Sequence, residues 1–359
     1  MSVSRPNLAQ LDPAVRQYIE YLEAELARSR AIQAIQARKP RPVPALAFSS
    51  DETEASLPPL ETEEAPTSVH LIAITGGGLA KRTPRHLYSR QRRGGMGIFD
   101  LDGPEDDPVR ILLTSEPDRH LLLFTNLARA FRLPVSQIVE GPVRSKGQSI
   151  VGKWGLLEDE YFVAALPDEA SGAVALLSQD GFVRYLRHHV FGEYMKPGTA
   201  MYDARKFGSL ATVCRTRGDA DLLIVSHHGK GIRFAEKLVP PQGGLGLRLE
   251  SGDRAVAVAS INDGSNVFLA DAQGRGTIRV MGSFSANKSA GGGGKIIMNS
   301  TEIVAALPVE CSDDIFMISR LSKIVRFMAA EVPPKEGNVQ GVNCMSLRGD
   351  EVVTATASG

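Results

Sequence analysis

The chain has 359 residues, with 41 Lys and Arg against 41 Asp and Glu, 43% hydrophobic residues, 35 Gly, 21 Pro and 3 Cys. That length suits about two domains or one large all-β domain with an appendage, no apolar run reaches the roughly 18 to 20 residues of a membrane span, and the start MSVSRPNLAQ lacks the order of a signal peptide. The expectation is a cytoplasmic protein whose zero net charge argues against a strongly basic nucleic-acid binder, and whose Cys214, Cys311 and Cys344, with no C-x-x-C, form neither a disulfide framework nor a structural zinc site.

Residues 1–38 are expected to hold one helix, from Asp12 as N-cap and Pro13 at the first helical position, with Val15, Ile19, Leu22 and Leu26 at helical spacing. Such a helix docks on the body, pairs with a second chain or stays a weakly structured tail. Residues 39–68, rich in proline and acids, read as a disordered linker.

From residue 69 the chain changes to short apolar runs separated by turns, and the runs repeat. LIAITGGGLAKR (71–82), LLLFTNLARAFR (121–132), AVALLSQDGFVR (173–184), LLIVSHHGKGIR (222–233), VFLADAQGRGTIR (267–279) and IFMISRLSKIVR (315–326) each turn at a small or polar pair and close on an arginine. The arginines Arg82, Arg132, Arg184, Arg233, Arg279 and Arg326 recur every 46 to 52 residues. Each unit continues to a second glycine turn and another strand, giving about four strands per unit, the pattern of propeller blades. The predicted fold is all-β, a six-bladed propeller over 69–359 with blades near 69–120, 121–172, 173–220, 221–265, 266–313 and 314–359.

Between Lys81 and Arg93 the sequence KRTPRHLYSRQRR holds six Lys or Arg (Lys81, Arg82, Arg85, Arg90, Arg92 and Arg93) and no acid. Such a run attracts polyanions through counterion release, and Gly94, Gly95 and Gly97 would let backbone approach a phosphate chain. The plain alternative is a solvated loop balanced by the acids of DLDGPEDD (100–107). SAGGGGKI (289–296) misses the first Gly and the Ser or Thr of a phosphate loop. The adjacent pairs His188-His189 and His227-His228 point to opposite faces of a strand and chelate poorly. Trp154 is expected to fill a blade interface. No catalytic constellation, metal site or cofactor is predicted.

Gln91-Arg92-Arg93-Gly94-Gly95-Met96-Gly97 resembles the QRRGGKG box in the first blade of the C-terminal domain of the DNA gyrase A subunit, in the family that the gyrase and topoisomerase IV A subunits share. LLLFTNLARAFRLPVSQI and GKGIRFAEKLV resemble the second-blade and fourth-blade segments of the same family. The resemblance implies a β-pinwheel whose blades exchange strands and whose basic rim wraps duplex DNA. Three departures stand out. Met96 replaces the lysine of the box, LVPPQGGLG (238–246) lacks the family's arginines, and only 68 residues precede the blades, so that a cleavage domain with its nucleophilic tyrosine is not expected in this chain. Arg184-Tyr185 matches the arginine-tyrosine dipeptide of that domain by chance.

For the six closing arginines two readings stand: pairing with strand-end acids across blade edges, or a ring of positive charge for a curved DNA path. The expected function is sequence-nonspecific binding and wrapping of duplex DNA as an accessory or paralogue of a type II topoisomerase, not itself an enzyme. The predicted contacts are Lys81, Arg82, Arg85, Arg90, Gln91, Arg92, Arg93, Gly94, Gly95, Gly97, Arg132, Arg184, Arg233, Arg279 and Arg326. Association with the nucleoid follows, and residues 1–38 would meet a topoisomerase or a second copy. The alternative is a protein-interaction propeller that has lost DNA wrapping. Charge is segregated: residues 1–68 carry 7 basic and 10 acidic residues, leaving a small positive excess on the blades, largest in 173–220.

Overall fold

In every repeat the first apolar run ends at a small polar residue because that residue builds the turn. The side chains of Thr75, Thr125, Ser178, Ser226, Asp271 and Ser319 accept the backbone N–H four residues on, at 3.0 Å for Leu79 and 2.9 Å for Arg275. Their carbonyls accept the N–H three residues on. That third position takes a positive φ, which Gly78, Gly181, Gly229 and Gly274 adopt without strain and which Ala128 and Ser322 also hold, at 56° and 59°. A hairpin follows at the same place in all six units.

The computed structural model describes residues 64–152 and 154–359. The helix expected in 1–38 and most of the linker expected in 39–68 lie outside the described residues. Within them, the six repeats form six blades, here numbered in chain order. Blade 1 runs outward as Val109–Ser115, His70–Thr75, Leu79–Pro84 and Gln148–Ser149. Its outermost strand therefore belongs to the next repeat. The same exchange supplies Thr199–Ala200 to blade 2, Gly244–Leu245 to blade 3, Lys295–Ile296 to blade 4, and Pro334–Lys335 with Val342–Asn343 to blade 5. Blade 6 takes Ile98–Phe99 from the first repeat, which closes the circle. This is a six-bladed, strand-exchanged β-propeller, the architecture expected.

The innermost strands pack against one another around the axis, Val352–Ser358 of blade 6 meeting Val109–Ser115 of blade 1. A register shift recurs between the first and innermost strands of all six blades, and such bulges increase local twist. The core is divided into six clusters, one at each seam between blades. Ile72, Ile74, Ile111 and Leu113 of blade 1 pack on Leu121, Leu123 and Phe131 of blade 2, for example, and Phe316, Ile318 and Ile324 of blade 6 pack on Leu71, Ala73 and Leu112 of blade 1. A single blade thus buries its faces only against its neighbours, as in other repeat architectures. Trp154 fills the first seam as expected, its ring 5.1 Å from that of Phe131. No helix among the described residues is long and apolar enough to cross a membrane.

Candidate nucleic-acid interface

Both faces of a central blade strand are covered by adjacent blades, so a cation placed there must find partners inside the protein. The closing arginines sit on such strands, the second strand of each hairpin. Arg233 is 4% exposed and donates from Nε to Asp221 (2.7 Å), from NH2 to Asp263 (2.6 Å) and from NH1 to the carbonyls of Met281 (2.8 Å) and Phe284 (3.2 Å). Those carbonyls belong to the single 3-10 turn of the following repeat. Arg326 repeats the pattern across the closure, reaching the carbonyls of Arg85 and Tyr88 together with Asp314 and Glu64. Arg82 donates to the Ile138 carbonyl (2.9 Å) and pairs with Glu140 (2.8 Å). Arg132 pairs with Asp168 (2.6 Å), Arg184 donates to the Met201 carbonyl (2.6 Å) and the buried Arg279 to that of Gly337. Apart from Arg132, whose partner Asp168 lies in its own blade, the closing arginines expected to face DNA are staples between repeats or between blades, with Arg233, Arg279 and Arg326 withdrawn from solvent.

Lys81 is likewise an interior group. It pairs with Asp100 at 2.7 Å, the two side chains being 1% and 0% exposed, and also donates to the carbonyls of Asp100, Pro142 and Val143. Tyr88 donates to Asp100 at 2.8 Å. Burial lowers the Lys81 pKa despite the opposing pull of Asp100, and burial raises that of Asp100 despite Lys81. No phosphate reaches this lysine.

The box 91–97 lies across the seams of blades 5 and 6. Gln91 N–H donates to the Arg326 carbonyl (2.7 Å), Arg93 N–H to Glu331 (3.0 Å) and Gly94 N–H to the Cys344 carbonyl (2.7 Å), while the Gly95 carbonyl accepts from Ser346 N–H (2.9 Å). Gly97, at φ +74°, leaves no room for a side chain: a Cβ would lie 2.9 Å from the Ile324 carbonyl oxygen. Backbone conformation and close packing within the ring thus account for Gly94, at φ +83°, and Gly97 without a phosphate. Side chains do emerge from the box. Arg92 is 39% exposed, 3.9 Å from Glu331, and Met96 is 57% exposed. Arg90 is held by Asp314 (2.8 Å), and Arg85 by Glu64 (2.5 Å).

The exchanged outer strands carry cations that the repeat pattern did not single out. Arg144 and Lys146 flank the outer strand of blade 1, Lys196 that of blade 2, Arg248 that of blade 3, Lys288 and Lys295 that of blade 4, all exposed. Lys335 lies in the outer strand of blade 5, and the box precedes that of blade 6. Acids in these segments are few, among them Glu140, Glu193 and Glu336. The signal available was the second glycine turn of each repeat, whose flanks are basic. Together with Arg92 these groups put positive charge on the outer edge of every blade, an arrangement able to hold a polyanion.

The remaining candidates have internal partners. His188 Nε2 is 2.6 Å from Asp168, and His227 Nδ1 is 3.1 Å from the Ile303 carbonyl. Burial pushes the Cys214 and Cys344 thiols up to about 12.

The sequence matches the family described as DNA gyrase C-terminal domain, beta-propeller, over residues 70–107, 119–167, 220–262 and 313–358. It is 25% identical to the DNA gyrase A protein of Pseudomonas aeruginosa over 97% of the chain and 42% of that protein. It is 27% identical to the DNA gyrase A protein of Staphylococcus aureus over 83% of the chain and 35% of that protein. The chain thus spans about two fifths or less of the length of these relatives. A DNA gyrase A C-terminal domain superposes with a TM-score of 0.70 at 19% identity, covering 80% of this chain and 99% of the domain. The C-terminal domain of DNA topoisomerase IV gives 0.57 at 20% identity, covering 82% and 94%.

Proposed function

Since the blade ring of this chain belongs to the DNA gyrase C-terminal domain family, we propose that it binds duplex DNA without sequence preference along its outer edge and bends the duplex around the ring. The observation that carries the reading is the placement of cations on the exchanged outer strands of successive blades. A duplex laid over them meets phosphate contacts at intervals around a curve, and bending without base readout needs no more than such contacts and a deformable duplex. The contacts we assign are Arg92 with Arg144, Lys146, Lys196, Arg248, Lys288 and Lys295; Arg82 and Arg132, partly exposed, lie nearer the seams. The buried arginines act indirectly, by holding adjacent blades in register. We assign no bond-breaking step to the ring. Its place is beside a type II topoisomerase, on DNA in the nucleoid, with residues 1–38 as the tether to that enzyme or to a second copy.

Titration of the full chain with duplex DNA over a salt series tests this. Each phosphate neutralised contributes about 0.9 to the slope of log affinity against log salt. Replacing Lys288 and Lys295 with Gln should lower the slope by roughly 2 on that rule. Binding indifferent to salt refutes the reading. Exposed Met96, Ile98, Phe99, Leu245 and Ile296 on the same edge favour a second reading, a protein partner. Salt-indifferent capture by a topoisomerase with no DNA binding would support that one.

A further inference from the structure

Three positions of the repeat depart from the pattern in only one place, and all three meet there. The residue at the end of the second strand, just before the 3-10 turn, is Pro84, Pro134, Arg187, Ala235, Val280 or Met328. Arg187 alone is charged. The residue after the innermost strand is Glu116, Asp168, Arg217, Asn262, Glu310 or Gly359, so that Arg217 replaces what is otherwise acidic or neutral. The second residue of the 3-10 turn is His86, Ser136, His189, Lys237, Gly282 or Ala330. Arg187 and Arg217 belong to blade 3, Lys237 to the turn that blade 4 lays against it.

These cations line one cavity of ≈ 570 Å³ at the seam of blades 3 and 4, with Tyr185, Pro240 and Pro241. All three are exposed, and none of the three side chains has a hydrogen bond or ion pair among the described residues. The local surplus is increased because Ala173 stands where blades 4 and 6 carry Asp221 and Asp314. One carboxylate also borders the cavity, that of Glu236. It is 4% exposed and its oxygens accept from Thr216 Oγ1 and Ala220 N–H, so it is satisfied without the three cations. Pro240 and Pro241 lead into the segment that forms the outer strand of blade 3, so one wall of the cavity is continuous with the edge where the duplex is proposed to run.

We propose that this cavity is a clamp for a backbone phosphate of duplex DNA, drawing the duplex off the outer edge toward the strand-end corner of blades 3 and 4. The proposal rests on the DNA-binding reading above. Guanidinium groups recognise phosphate oxygens through forked, charge-assisted donors, and two of them with an ammonium group around a concave site suit one or two phosphates. Val239, Pro240 and Pro241 supply apolar lining as well, but three cations gathered around one cavity select an anionic occupant over a neutral one.

The test compares the full chain with the Arg187→Gln, Arg217→Gln, Lys237→Gln triple variant, using a duplex of fixed length over a salt series. Unchanged melting of the variant is expected, since the three side chains hold no partner. The expected result is a salt slope shallower by about 1 to 2. A wild-type slope in the folded variant overturns the clamp and leaves DNA binding at the edge intact, whereas a wild-type chain that binds no duplex overturns both. Inorganic phosphate as competitor separates the sources: displacement of duplex by phosphate at constant ionic strength in the wild type alone supports the clamp, and equal displacement in the variant counts against it.

Discussion

Lys81 offers a sharp test because its surroundings differ so much from those expected of a basic run. Six residues after the turn residue, where blade 1 has Lys81, blades 2, 4 and 6 carry the buried Phe131, Ile232 and Val325. Lys81 occupies this apolar position with its ammonium group 2.7 Å from Asp100. Replacing Lys81 with Met strands a carboxylate that is wholly buried and leaves three carbonyls short of a donor. Breaking one side of such a pair costs about 3–5 kcal/mol. At roughly 2 °C per kcal/mol for a domain of this size, melting should fall by about 6–10 °C. Lys81→Met with Asp100→Asn should recover at least about 1–2 kcal/mol relative to the single variant, because the stranded charge is gone. Calorimetry of the wild type, both single variants and the double variant, all full-length, measures this. The salt slope of DNA binding should not change in Lys81→Met below its melting point. A single variant that melts with the wild type, or a double variant that loses the sum of the single effects, refutes the account of a buried pair.

Three further outcomes follow from the seams. Arg233→Ala leaves two buried carbonyls without their donor and should destabilise by about 2–3 kcal/mol, its carboxylate partners being partly or largely solvated, with Arg233→Lys a poor replacement because a single ammonium cannot span the four acceptors; thermal unfolding reads both. Asp168 is pushed up by burial, but the hydrogen bonds and charges of His188 and Arg132 outweigh this and hold it below the usual carboxylate range. The folded form therefore binds the proton less readily than the unfolded form, and the stabilisation, present above about pH 4, is lost as pH falls through the depressed value. Asp168→Asn should flatten the acid limb of a stability profile measured by urea unfolding. Gly97→Ala should cost upward of about 1 kcal/mol through its positive φ and the Ile324 contact, and hydrogen exchange should report the loosening first in Ile98–Phe99 and Lys323–Met328.

The blade number was legible because the hairpin is built locally: a polar turn residue and a positive-φ position recur at a fixed offset, and an arginine follows six to eight residues after the turn residue. The strand exchange entered only through the family resemblance, since Ile98–Phe99 and Lys295–Ile296 are two-residue strands whose partners lie in another repeat. The site was read less well for a physical reason. Central strands are covered on both faces, so the regularly spaced arginines were bound to be inside, and Asp221 and Asp314 at strand starts were the available sign of their pairing. The cations of the outer edge follow no fixed offset, because these segments are loops with brief strands and vary in length. Zero net charge concealed them, for the acids that balance the sum lie largely elsewhere, as in 100–107 and at the strand-end corners of blades 1 and 2.

Ligation of relaxed circular plasmid in the presence of increasing full-length protein, followed by removal of the protein, tests DNA bending around the ring most directly. The account predicts a linking-number shift that grows with protein bound and shrinks in the Lys288→Gln, Lys295→Gln variant. Plasmid that is fully bound yet closes with an unchanged linking number would contradict it.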